Sequence, residues 1–248
     1  VKSIYDVPIN FEKDHLGIHL LEKFGLKPRV RDGHQWRALV KRMHALTHEV
    51  RIGIVGKYFG TGDFTLSDSY ISVIESLKHA SWKVGAKLAI DWLSSEEYEK
   101  KPKSVVGLTA YDGILVPGGF GARGVEGKML AIRYCREQKI PYFGLCYGMQ
   151  LATIEFARNV CGLRGAHTTE VNPKTKHPVI TTMAEQEALI ASGDMGGSMR
   201  LGSYDCDLAE GSISRLAYGE GRISERHRHR YEFNNQYRMQ LEGKGLRI

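Results

Sequence analysis

The chain has 248 residues, 42% of them hydrophobic and 25% charged, which excludes wholesale disorder and provides for one large domain with or without an appendage. Its 35 Lys and Arg against 28 Asp and Glu give a formal charge of +7, a surplus that permits an anionic partner without selecting nucleic acid. The longest apolar runs, such as Gly113 to Val116 and Pro141 to Leu145, fall far short of a membrane span, and no secretory pattern follows Lys2 and Asp6; a cytoplasmic chain with no membrane or nucleic-acid partner is expected.

Residues 1–49 read as a helical lead-in. Pro8 to Leu26 and His34 to Leu46 carry apolar residues at helical spacing on either side of a break at Lys27-Pro28. From residue 50 the pattern alternates. Val50 to Tyr58 reads as a buried strand, and Ser67 to His79 as a capped amphipathic helix with Ile71, Ile74 and Leu77 on its apolar face. Lys87 to Leu93 is a second strand, followed by the polar stretch Ser94 to Ser104. Tyr111 to Gly119 is a strand running into glycines, Glu126 to Gln138 a helix, Ile140 to Leu145 a fourth strand, and Gln150 to Val160 a further helix. Helical crossovers imply parallel pairing, so the expected fold is α/β, a doubly wound and mostly parallel sheet with its site at the carboxyl ends of the strands. Farther on, His177 to Met183 and Ser198 to Cys206 allow strands, and Ile223 to Gly245 reads as a basic loop entering a helix that stops at glycine.

Four cysteines (Cys135, Cys146, Cys161 and Cys206) form no CxxC pair, and ten histidines show no zinc-type spacing; reduced thiols and no metal are expected. Cys146 stands apart. Gly144-Leu145-Cys146-Tyr147-Gly148 joins a strand to a helix with the G-x-nucleophile-x-G spacing of a nucleophile elbow, in which the flanking glycines let the chain turn sharply and push the central residue out. The thiol would face a helix N-terminus, which favours thiolate. The other three cysteines read as structural. Pro117-Gly118-Gly119-Phe120-Gly121-Ala122-Arg123-Gly124 follows the strand before it, and Gly119, Gly121 and Gly124 satisfy GxGxxG. A dinucleotide site would need an acid at the end of the next strand, which instead ends in Gly144, Leu145 and Cys146, so the turn fits better as a backbone oxyanion site facing the cysteine.

The motifs ILVPGGFGARGVEGK, GLCYGMQLATIEFARNV, HTTEVNP, GGSMRLG and ERHRHRYEFNN together resemble the class I glutamine amidotransferases, in the order and spacing of the glutaminase domain of the CTP synthase family, and SIYDVPINFEKDHL resembles the tether entering that domain. The resemblance implies that residues 1–49 are a tether from a synthetase domain absent from this sequence and that 50–248 are the amidotransferase domain. It implies Cys146 as nucleophile toward the side-chain amide of L-glutamine, forming a γ-glutamyl thioester, with Gly119 and the N–H of Tyr147 as oxyanion hole. Gln150, Glu170 and Arg230 would hold the amino-acid end of glutamine, with Gly118, Phe120, Gly148 and Met149 also lining the substrate site. Released ammonia would serve ATP-dependent conversion of UTP to CTP. No cofactor is implied for this domain; ATP, Mg2+ and GTP are implied only for the full-length enzyme, as is a homo-oligomer.

Two positions depart from the family pattern: Tyr147 stands where leucine is expected, and Gly60 to Leu66 is longer than the usual loop. The family's base and its orienting acid lie in a His-Pro-Glu motif, and no histidine here is followed two residues later by glutamate; nor is there a phosphate-binding GxxxxGK. The expectation is therefore an incomplete triad, little turnover by this chain as written, and His229 as the nearest candidate base, its protonation disfavoured by Arg228 and Arg230. A catalytically silent binding or regulatory module of the same fold is the alternative.

Overall fold

The computed structural model describes residues 1–27, 32–57, 60–61, 64–65, 70–183, 186 and 199–248. It contains two compact units: Val1–Arg51 with Asp68–Ala89, and Ile52–Ser67 with Ile90–Ile248.

In chain order the elements are α1 (Val7–Lys13), α2 (Leu16–Lys23), α3 (His34–His44), β1 (Glu49–Gly56), β2 (Gly60–Thr61), β3 (Phe64–Thr65), α4 (Ile71–Lys83), β4 (Lys87–Ser94), α5 (Ser95–Lys100), β5 (Gly113–Val116), α6 (Val125–Gln138), β6 (Tyr142–Gly144) and α7 (Tyr147–Asn159). There follow β7 (His167–Thr168), β8 (Pro178–Thr182), β9 (Arg200–Asp207), α8 (Ile213–Tyr218), β10 (Arg222–His229), β11 (Tyr231–Phe233) and α9 (Arg238–Glu242).

The first unit is helical around Tyr5. Its ring stacks on Trp36 at 5.7 Å and meets Trp82 edge-on at 4.8 Å, while its hydroxyl donates to Glu75 at 2.7 Å. The apolar run from Pro8 to Leu26 is broken into α1 and α2 at His15, which takes a left-handed conformation (φ 54°). The proposed cap of α4 at Ser67 lies outside the described residues. In the second unit, within the Gly60 to Leu66 segment, β2 pairs with β3 antiparallel.

The second unit carries the main sheet, ordered β4-β1-β5-β6, with β1/β5 and β5/β6 parallel and Val116 opposite Gly144. The chain runs outward from β1 in both directions, so the sheet is doubly wound and mostly parallel, as the alternation predicts. All four residues of β5 are buried, the pattern of a strand covered on both faces. A smaller sheet, β11-β8-β7, and a long antiparallel ribbon, β9 with β10, complete the unit. One core joins β5, α6, α7 and β8 through Ile114, Val116, Ile132, Leu151, Ile154 and Ile180. Arg136 of α6 forks onto Glu155 of α7 at 2.7 and 2.9 Å, and that carboxylate is 1% exposed.

Two readings need correction. The segment taken as a basic loop is strand β10, whose backbone bonds to β9 along its whole length while its charged side chains pair across the ribbon, as Arg222 does with Asp205 at 2.9 Å. The polar stretch at 94–104 is α5 followed by a 3-10 turn at Pro102–Ala110, because Ser95 and Tyr98 bury one face against α6.

α5 and α6 approach so closely that a Cβ on Gly127 would lie 1.8 Å from the carbonyl oxygen of Ser95. Gly127→Ala should lower stability by about 1–3 kcal/mol despite alanine's better helix propensity. Gly17→Ala in α2, where nothing lies within 4 Å, should raise it by up to about 1 kcal/mol. Denaturant unfolding of both variants checks the contrast, and equal effects would contradict the close approach.

Candidate active site

The carboxyl ends of β5 and β6 deliver the two segments that meet at the site. After β6 the chain turns into α7 through Cys146, whose φ of 50° and ψ of −103° place a non-glycine residue in strained backbone. Packing enforces the strain. A Cβ on Gly148 would lie 2.1 Å from the Val116 carbonyl oxygen, and one on Gly144 would meet the Gly148 backbone at 2.6 Å, so both neighbours must be glycine. The turn is fixed by Leu145 N–H on the Val116 carbonyl at 2.9 Å and by the Tyr142 hydroxyl on the Gly148 carbonyl at 2.8 Å.

The glycine turn after β5 closes over the elbow, with the Cβ direction of Gly118 only 3.6 Å from the Cys146 Cβ. Three side chains hold it. Lys57, at the end of β1, donates to the Phe120 carbonyl; the Tyr147 hydroxyl donates to the Gly121 carbonyl at 2.8 Å; and Glu170 accepts from Gly121 N–H at 2.9 Å. The unexpected tyrosine after the cysteine is thus buried and tied to the opposing loop by its own side chain, while its backbone N–H points at the Cys146 sulfur.

A cavity of about 260 Å3 is lined by Gly119, Phe120, Cys146, Gln150, Glu170 and Arg230, with Met199, Arg228, His229 and Tyr231 completing it. Gln150 is held by donating to the Tyr231 carbonyl at 2.8 Å. Met149 lines an adjoining cavity of about 510 Å3 with Cys146, His227 and His229. Gly118, Tyr147 and Gly148 lie behind these walls as the packing that shapes them. Sequence reasoning missed Met199, Tyr231 and His227 of the lining, and Lys57, which holds the loop. The signal of Lys57 is weak, a lysine directly after an apolar strand.

The four thiols are unpaired, and Cys146 is exposed. Even so, its pKa is raised: the protein packed around the sulfur disfavours thiolate, Tyr147 N–H pulls the other way, and the charge of Glu170 adds to the rise. The expected thiolate-favouring effect of the helix N-terminus is present but outweighed. Burial pushes Cys135 to about 12. His229 contacts His227 at 2.8 Å and lies 3.7 Å from Glu232, and its pKa is lowered. The main cause is burial, with His227 and Arg200 contributing, rather than the flanking Arg228 and Arg230. Among the described residues no group of three or more His, Cys, Asp or Glu is placed to hold a metal, and no helix is long and apolar enough to cross a membrane.

Because Glu170 raises the thiol, Glu170→Gln should lower the pH at which Cys146 becomes reactive. The pH dependence of iodoacetamide alkylation at Cys146, followed by peptide mass spectrometry, should shift to lower pH in the variant; an unchanged profile would remove Glu170 from the thiol's surroundings.

Residues 65–248 match the family Glutamine amidotransferase class-I. The CTP synthase of Methanococcoides burtonii is 49% identical over 244 residues, covering 98% of this chain, and that of Acidobacterium capsulatum is 50% identical over 248 residues. In both, the chain spans 44% of the relative's length. The solved glutaminase domain of Trypanosoma brucei CTPS with bound acivicin superposes with a TM-score of 0.71 at 39% identity, covering 80% of this chain and 74% of that one. An elbow cysteine facing a glycine-rich loop, on a doubly wound sheet that these proteins share, makes this chain a member of the class I glutamine amidotransferase family, similar within it to the glutaminase domains of CTP synthases.

Proposed function

We propose that the chain cleaves the side-chain amide of L-glutamine through a Cys146 thioester, as the glutaminase domain of a CTP synthase whose synthetase domain uses the ammonia to convert UTP to CTP. The observation that carries this reading is the shared cavity, in which a nucleophile, a glycine loop, a carboxylate and a guanidinium line one space. The carboxylate of Glu170 suits an α-ammonium and Arg230 an α-carboxylate, with Gln150 between them, so glutamine would enter with its amide toward Cys146. Gly119 and Tyr147 N–H groups would receive the charge on the amide oxygen.

Substrate would also activate the thiol. Glu170 adds to the raised Cys146 pKa, so an ammonium that neutralises this carboxylate lowers it toward thiolate, against the larger effect of burial. The four unpaired thiols suit a reducing cytoplasm. In this reading residues 1–49 are the tether to the synthetase domain, ATP and Mg2+ act on that domain, GTP acts on the full-length enzyme, and that enzyme assembles as a homo-oligomer. The silent-module alternative is not favoured, since the family match and the similarity to a glutaminase domain that binds acivicin support an amidotransferase domain.

Glu170→Ala and Arg230→Ala should each weaken glutamine binding by about tenfold to a hundredfold, the effect of removing a charge-assisted bond. Isothermal calorimetry on Cys146→Ala as the non-reacting background measures it. Unchanged affinity in both variants would overturn the assigned orientation.

A further inference from the structure

Lys128 lies on α6 with Val125, Met129 and Ile132, on the stripe of the helix that enters the core, and it is 2% exposed. An ammonium so buried normally has a carboxylate or carbonyls to offset its lost hydration. Among the described residues Lys128 has neither. The acids of neighbouring segments are engaged elsewhere: Glu96 with Arg123, Glu99 with Gly127 N–H, Glu170 with Gly121 N–H. What surrounds the ammonium is the site. It lies 5.5 Å from the centre of the Tyr147 ring and 3.9 Å from where a Cβ on Gly119 would stand. The other charge it faces is Lys57, which holds Phe120 in the same loop.

We propose that Lys128 is a positioning residue for amide cleavage: fixed behind Gly119 and over Tyr147, it orders the two N–H groups of the oxyanion hole and supplies positive potential where the amide oxygen becomes negative. The inference rests on the reading of Cys146 as glutamine nucleophile. In that step the Cys146 sulfur bonds to the amide carbon, the carbonyl electrons move to oxygen, and the collapse of that intermediate breaks the C–N bond. The thiol proton leaves on ammonia. A positive charge left uncompensated in the resting site has its counter-charge only while the oxyanion exists, which is the differential interaction that speeds a reaction.

Burial and the repulsion of Lys57 bring Lys128 down to about 8, so the charge is present below that pH and fades above it. Tyr147 faces it as a neutral ring, its own pKa raised by burial.

The test uses the 248-residue chain and the chloroketone analogue of glutamine, whose carbonyl carbon takes the Cys146 sulfur to form a comparable oxyanion before the sulfur moves to the adjacent carbon, chloride departs and the ketone re-forms. Labelling is followed by mass spectrometry across pH, and the limiting rate is separated from the half-saturating concentration. Lys128→Met should slow the limiting rate about tenfold or more, with half-saturation little changed. Lys128→Arg, which keeps the charge at every pH and serves if the Met variant does not fold, should retain most of the rate and lose the decline expected of the unaltered chain above about pH 8 once rates are normalised to the ionisation of Cys146. A Met variant that labels at the original rate, or an alkaline decline that persists in the Arg variant, would overturn the role of Lys128 while leaving Cys146 as nucleophile. No labelling of Cys146 in the unaltered chain would overturn both.

Discussion

The site depends on one close approach, that of the Val116 carbonyl to Gly148, where any side chain would lie 2.1 Å from oxygen. This contact brings the end of β5 against the first turn of α7 and leaves the chain between β6 and α7 too little length to turn gently. Cys146 takes up the turn in strained backbone. The same contact fixes the exit of β5, so the glycine loop leaves the sheet directly opposite the thiol. Core packing beneath, with Ile114, Leu151 and Ile154 fully or nearly fully buried, is what holds a strained residue in place.

Around this geometry the charges are arranged in two layers. Glu170 faces the cavity, restrains Gly121, and adds to the rise in the thiol pKa that burial chiefly causes. Lys57 and Lys128 lie behind the loop, and in the role proposed for Lys128 their charge favours negative charge at the reacting oxygen. Tyr147 links the layers, with its N–H on the thiol, its hydroxyl on the loop and its ring under Lys128. An acid and two buried lysines thus lie on opposite sides of one glycine turn.

The elbow was legible in the sequence because its constraint is local: two glycines flanking a cysteine, between an apolar strand and a helix, leave few other conformations. The parallel sheet was legible for the same reason, since β5 is a short continuous apolar run bounded by Asp112 and Pro117. Strand β10 was not, because a solvent-facing ribbon needs no apolar alternation and its pairing with β9 rests on backbone bonds and polar cross-strand pairs such as Arg222 with Asp205. Helix α5 offered Ser94 followed by Glu97, a helix-start spacing obscured by the surrounding lysines and glutamates. The side-chain roles of Tyr147 and Lys128 depend on where a loop from another strand passes. Only the helical spacing of Lys128 with Val125, Met129 and Ile132 hinted that this lysine is buried.

The most direct test of the account is to trap the acyl-enzyme. The chain is mixed with L-glutamine, quenched in acid, and digested for peptide mass spectrometry. The account predicts a γ-glutamyl adduct, glutamine less ammonia, on the peptide containing Cys146, sensitive to hydroxylamine and absent from Cys146→Ser. An adduct on Cys135, Cys161 or Cys206 instead, or no adduct at any quench time, would contradict it.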